Sequence, residues 1–70
     1  GLDVARKIVK NAYQFLNDQG CLILELSTSG ATKIFDHLQV SPFWKDISIE
    51  PDEFGDYRIV VAKKDPNYLK

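Results

Sequence analysis

The stretch Cys21-Leu22-Ile23-Leu24-Glu25-Leu26 decides how the rest of the chain is read. Gly20 precedes it and Ser27-Thr28-Ser29-Gly30 follows, so an apolar run too short for a buried helix is bounded on both sides by turn residues. It predicts a strand over 21–26. No polar residue interrupts Cys21 to Leu24, which predicts burial on both faces, the pattern of a parallel sheet with helices on either side. Cys21 is then expected to be a small buried hydrophobe.

Upstream, Ala5, Ile8, Val9, Ala12, Phe15 and Leu16 recur at spacings of three and four, the period of one helical face, which predicts a helix over 3–17. Asp3 is placed to cap its first turn, and Gly20 to take the left-handed conformation after its end. Lys7, Lys10 and Gln14 fall on the solvated side. Downstream, Ala31, Ile34, Phe35 and Leu38 predict a second helix over 29–39, with Thr28 or Ser29 as its cap.

Beyond Pro42, period-two alternation predicts a strand over 43–50, with Phe43, Ile47 and Ile49 on one face and Asp46, Ser48 and Glu50 on the other. Pro51 to Asp56 reads as a turn. A third strand is expected over 57–63, where Ile59-Val60-Val61-Ala62 is apolar on both faces. Pro66 ends it, leaving Asn67 to Lys70 as a loose tail. A strand–helix–strand crossover makes the first two strands parallel, and the short turn makes the last two antiparallel. The doubly apolar third strand therefore belongs between the others, which predicts an α/β sheet in the order first, third, second, with the last strand antiparallel and central.

Composition narrows the function classes. Seventy residues make one small unit that buries roughly 60% of its unfolded surface. Nine basic and ten acidic side chains give a net charge of −1 and form no basic stripe, so direct nucleic-acid binding is not expected. No apolar run approaches the ~18 residues of a membrane span, and no charged segment leads into a signal-type hydrophobic core, so neither membrane spanning nor secretion is expected. The single cysteine excludes an internal disulfide and a multi-cysteine metal site. An intracellular, reducing compartment fits, either cytoplasm or an organelle matrix. His37 stands alone and is expected at the surface or in packing rather than on a metal. The acidic turn Glu50-Pro51-Asp52-Glu53 lacks the alternation of a calcium loop and reads as a solvated hairpin tip. Trp44 and Tyr57 are expected to cover the edge of a small core or to mark a contact surface.

Gly1-Leu2-Asp3, a helix, Leu16, Gly20 and Leu22-Ile23-Leu24-Glu25 resemble the segment that follows the Asn-Pro-Pro-Tyr motif in the HemK/PrmC protein-(glutamine) methyltransferases. Gly55-Asp56-Tyr57-Arg58-Ile59-Val60-Val61-Ala62 resembles that family's closing hairpin, where an arginine follows a glycine turn by three residues. Two departures are Gln19, where the family usually has glycine, and Leu26-Ser27-Thr28, where it has a glycine soon after the glutamate. The resemblance implies the carboxyl-terminal part of a doubly wound, Rossmann-like class I methyltransferase. The whole enzyme would use S-adenosylmethionine to methylate a glutamine side-chain amide of a peptide-chain release factor.

The glycine-rich cofactor turn, the ribose-binding acid and the catalytic Asn-Pro-Pro-Tyr would all lie before Gly1, whose lack of a preceding methionine suggests an excised or partly ordered fragment. No catalytic or cofactor-binding residue is therefore expected in these 70 residues, which would be inactive alone. Glu25 and Ser27, at the carboxyl end of the first strand, are the substrate-proximal candidates, since open α/β sheets place ligands at that edge. Capping of the second helix near Ser29 and Gly30, or exposure to solvent, is the commoner role for such a carboxylate. The alternative function is a free-standing α/β interaction or regulatory module. In either case the first strand carries no device that blunts an edge, so self-association through it is expected if nothing else covers it.

Overall fold

A computed structural model describes residues 2–69. The elements are helix α1 (Leu2–Phe15), strand β1 (Cys21–Glu25), helix α2 (Thr28–Gln39), strand β2 (Trp44–Pro51), strand β3 (Tyr57–Lys64) and a 3₁₀ turn (Pro66–Leu69). Each main element lies within two residues of its expected bounds. The tail differs: Asp65 accepts a hydrogen bond from the Asn67 N–H at 3.0 Å, and 66–69 form the turn instead of a loose end. Lys70 lies outside the described residues.

The sheet order is β1-β3-β2, and β3 runs antiparallel to both neighbours. Strands β1 and β2 therefore run parallel to each other without touching. Leu22 and Leu24 pair with Ala62 and Val60, and Ile49 also pairs with Val60, so these side chains share one face. That face carries the core: Val60 and Ala62 meet Ala31, Ile34 and Leu38 of α2, and Ala5, Val9 and Tyr13 of α1 join the same cluster.

Both helices thus lie on one side of the sheet. The expected covering of β1 on both faces is not observed, because α1 and α2 pack into a single cluster over one face and leave the other open. Cys21 is exposed, correcting its expected burial, since it lies on the open face beside Lys63. Ile23 is 66% exposed for the same reason.

Two further corrections concern which side chains point inward. The pairing of Lys45 with Lys63 and of Ser48 with Val61 leaves two residues of β2 opposite one of β3, a bulge at Asp46, whose φ is 50°. The extra residue reverses the alternation before it, so Trp44 rather than Phe43 enters the core. On α1 the buried stripe is Ala5, Val9 and Tyr13, while Ile8 and Phe15, expected inside, are exposed along with Val4.

Tyr13 explains the choice of stripe. Its ring packs edge-on against Phe43 at 5.1 Å and Trp44 at 5.8 Å, with the Lys64 ammonium over its face at 4.4 Å. Its hydroxyl donates to the Asp65 carbonyl at 2.8 Å, and Lys64 donates to the Leu16 carbonyl at 2.9 Å. The end of α1 is fastened by these contacts to the end of β3.

Capping also differs from expectation. Asp3 sits in the first turn of α1, inside the helix, where a carboxylate meets the positive end of the helix dipole. Gly20 does not adopt a left-handed conformation; only Gly55 does among the described glycines, at φ 85°. Gly20 is required by space, because a Cβ there would stand 2.9 Å from the Asn17 carbonyl oxygen and from Leu16 Cβ.

Val60→Asp is expected to unfold the chain, since an unpaired carboxylate at a 1%-exposed site costs several kcal/mol, about the whole stability of a unit this size. Ser48→Asp, on the open face, should change stability by about 1 kcal/mol or less. Circular-dichroism melting checks the pair, and equal midpoints would contradict the assignment of faces.

Candidate functional site

The carboxyl end of β1 is fixed by a short polar network that begins in the hairpin. The Asp52 carboxylate accepts from the N–H groups of Phe54 at 2.9 Å and Asp56 at 3.0 Å, while Gly55 donates to the Asp52 carbonyl at 3.0 Å. This is side-chain mimicry of a backbone turn. It makes Asp52 the organiser of the β2–β3 hairpin. Its second oxygen lies 3.6 Å from the Arg58 guanidinium, and its side chain is only 8% exposed, so the expected solvated acidic tip is in fact half engaged.

Arg58 carries the network across to β1. Its Nε donates to the Leu26 carbonyl at 2.9 Å, and the Leu26 N–H donates to the Arg58 carbonyl at 2.8 Å. The chain thereby leaves β1 in a defined direction. Ser27 then caps α2: its hydroxyl accepts from the Gly30 N–H at 3.1 Å, and its carbonyl accepts from Ala31 at 2.7 Å. The cap is therefore Ser27, and not Thr28 or Ser29 as expected.

Glu25 and Ser27 are near in sequence but separated in space. Glu25 lies on the open face, exposed, beside a hollow of about 270 Å³ that it lines with Asp52, Glu53, Phe54, Arg58 and Ile59. Ser27 lies at the start of α2, on a second hollow of about 310 Å³ with Leu2, Leu26, Ser29, Gly30 and Lys33. The expected capping of α2 by Glu25 is not observed, because Ser27 fills that role and alternation turns Glu25 to the opposite face. Two substrate-proximal candidates thus flank the same strand end without forming one constellation.

A third hollow, of about 410 Å³, was not signalled by any motif. It lies between α1, the end of α2 and the start of β2, with Val9, Tyr13, Phe43 and Trp44 as its apolar wall and Arg6, Lys10 and His37 at its rim. His37 is exposed there, as expected of a lone histidine. No group of three metal-ligating side chains occurs among the described residues. No described helix is long and apolar enough to cross a membrane.

No protein-family model matches this chain, nor does any curated protein or solved structure.

Removing Arg58 should loosen the end of β1. Arg58→Ala is expected to lower stability by about 1–2 kcal/mol through loss of a charge-assisted hydrogen bond that is 40% open to water, whereas Glu25→Gln should stay within about 0.5 kcal/mol of the native value. Urea denaturation of the two variants compares them directly, and coincident curves would show that the Leu26 and Asp52 contacts contribute nothing.

Proposed function

We propose that this chain is the carboxyl-terminal segment of a class I S-adenosylmethionine-dependent methyltransferase, most similar to the protein-(glutamine) methyltransferases that modify peptide-chain release factors. The observation that carries the reading is the sheet order β1-β3-β2 with a reversed central strand, combined with two helices on one face. In the methyltransferases that the sequence resembles, such a unit would form one end of the sheet, and a preceding parallel strand would join at β1. Consistent with this, β1 has an apolar open face at Ile23 and lacks a blunted edge. The Arg58 that follows Gly55 by three residues ties the closing hairpin to the carboxyl end of β1.

The described residues do not by themselves fit the cofactor. The residues after β1 are Leu26-Ser27-Thr28-Ser29, with no glycine-rich turn, and the acidic hollow beside Glu25 is bordered by a carboxylate already committed to the hairpin. Cofactor binding and methyl transfer to a glutamine amide belong, in this reading, to residues before Gly1. This segment closes the sheet and sets Glu25 and Ser27 at the edge where a substrate approaches.

A free-standing interaction or regulatory module is the second reading. One observation favours it: the apolar hollow under Arg6, Lys10 and His37 offers a binding surface at the end of the sheet opposite Glu25.

Calorimetric titration of S-adenosylmethionine into the 70-residue chain is expected to show no saturable heat, and micromolar affinity would overturn the segment reading. The reading frame that contains this chain, expressed in full, should transfer a labelled methyl group from S-adenosylmethionine to a Gly-Gly-Gln loop of a release factor. Absence of transfer by a folded product would favour the module.

A further inference from the structure

The two outer edges of the sheet are built differently. On β2, the bulge at Asp46, the charged side chains of Lys45 and Glu50, and Pro51 all obstruct a further strand. β1 has no bulge, no proline and one charge, at its end. Its register also settles which backbone groups are free. Lys64 donates to the Gly20 carbonyl and Leu26 to the Arg58 carbonyl, so even-numbered residues on β1 bond to β3. The N–H and C=O groups of Cys21, Ile23 and Glu25 therefore point outward.

Those same three residues place their side chains on the open face, where cross-strand pairing arranges three rows. Glu50, Ile59 and Glu25 form an acidic row; Ser48, Val61 and Ile23 form an uncharged one that is apolar at Val61 and Ile23; Lys45, Lys63 and Cys21 form a basic one. A second copy turned about a two-fold axis normal to the sheet at Ile23 would bring Ile23 opposite Ile23, and Cys21 opposite Glu25. The acidic row of each copy then runs into the basic row of the other, and the uncharged rows join end to end. All three outward residues of each strand find hydrogen-bonding partners in that register, and both helical layers stay on one side.

We propose that β1 is a self-complementary edge through which two copies of this chain pair antiparallel, centred on Ile23, into one six-stranded sheet. The inference concerns this chain and does not rest on the methyltransferase reading, in which a preceding strand of a longer chain would compete for the same edge.

Sedimentation equilibrium is expected to show a monomer–dimer equilibrium. Ile23→Lys should raise its dissociation constant about tenfold or more by placing like charges opposite each other, with an unchanged melting curve at concentrations where both chains are monomeric, because the site is 66% exposed. A chemical test fixes the register. In a hydrogen-bonded antiparallel pair the opposed Cα atoms are about 5.5 Å apart, within disulfide range, whereas positions 21 and 25 of one strand are about 13 Å apart. Under mild oxidant, Glu25→Cys should yield a covalent dimer through sulfurs at 21 and 25 of opposite copies, while the native chain should cross-link little. A strictly monomeric chain, a dimer indifferent to Ile23→Lys, or efficient cross-linking of native Cys21 to itself would each overturn the proposal.

Discussion

Strand β3 must satisfy hydrogen-bonding partners on both sides at once, and the rest of the chain is arranged around that requirement. Its even-numbered residues bond toward β1 while its odd-numbered ones face β2, so each backbone polar group along its centre has a protein partner. Only a strand relieved of water on both edges can be apolar at four consecutive positions without inviting aggregation. The central place of Ile59-Val60-Val61-Ala62 follows from that. Once β3 is central and reversed, β1 and β2 must run parallel, and α2 must cross the sheet to connect them.

Two fastenings convert this topology into defined ends. At one end, Tyr13 binds α1 to the start of β2 and the end of β3 by ring contacts, a cation over its face and a hydroxyl bond to Asp65. At the other, Asp52 shapes the hairpin and holds Arg58, which grips Leu26. The second fastening bears on function, because it sets the strand end at which Glu25 and Ser27 diverge to opposite faces. Neither fastening covers the open face or the outer edge of β1. A chain with a complete core on one side and an uncharged row on the other has a surface that a further strand can fill.

Much of the fold was legible in the sequence because period and turn chemistry agree. The three-and-four spacing of α1 and α2, the bounded run at Cys21, and the doubly apolar β3 were sufficient for element bounds and strand order. What escaped was whatever depends on one residue or on partners far along the chain. The Asp46 bulge exchanges Trp44 for Phe43, and a single added residue leaves no mark on a period-two pattern. Tyr13 is amphipathic, so its burial could not be read until Asp65 and Lys64 were placed beside it. An apolar run such as Cys21 to Leu24 reports that both faces tolerate burial, not that both are covered. For the candidate site, the position of Glu25 at a strand end was readable, but its face was not, and the roles of Arg58 and Asp52 emerge only when the hairpin closes onto Leu26.

The central claim is that β1 carries an open, outward-directed edge beside a closed inner one. Residue-resolved amide hydrogen exchange measures this directly. At low protein concentration the amides of Cys21, Ile23 and Glu25 should exchange rapidly while those of Leu22 and Leu24 and the centre of β3 are protected. Raising the concentration should then slow the first three selectively. Uniform protection along β1 in a chain that sediments as a monomer would contradict the account, because it would mean that the strand is already covered on both sides within a single chain.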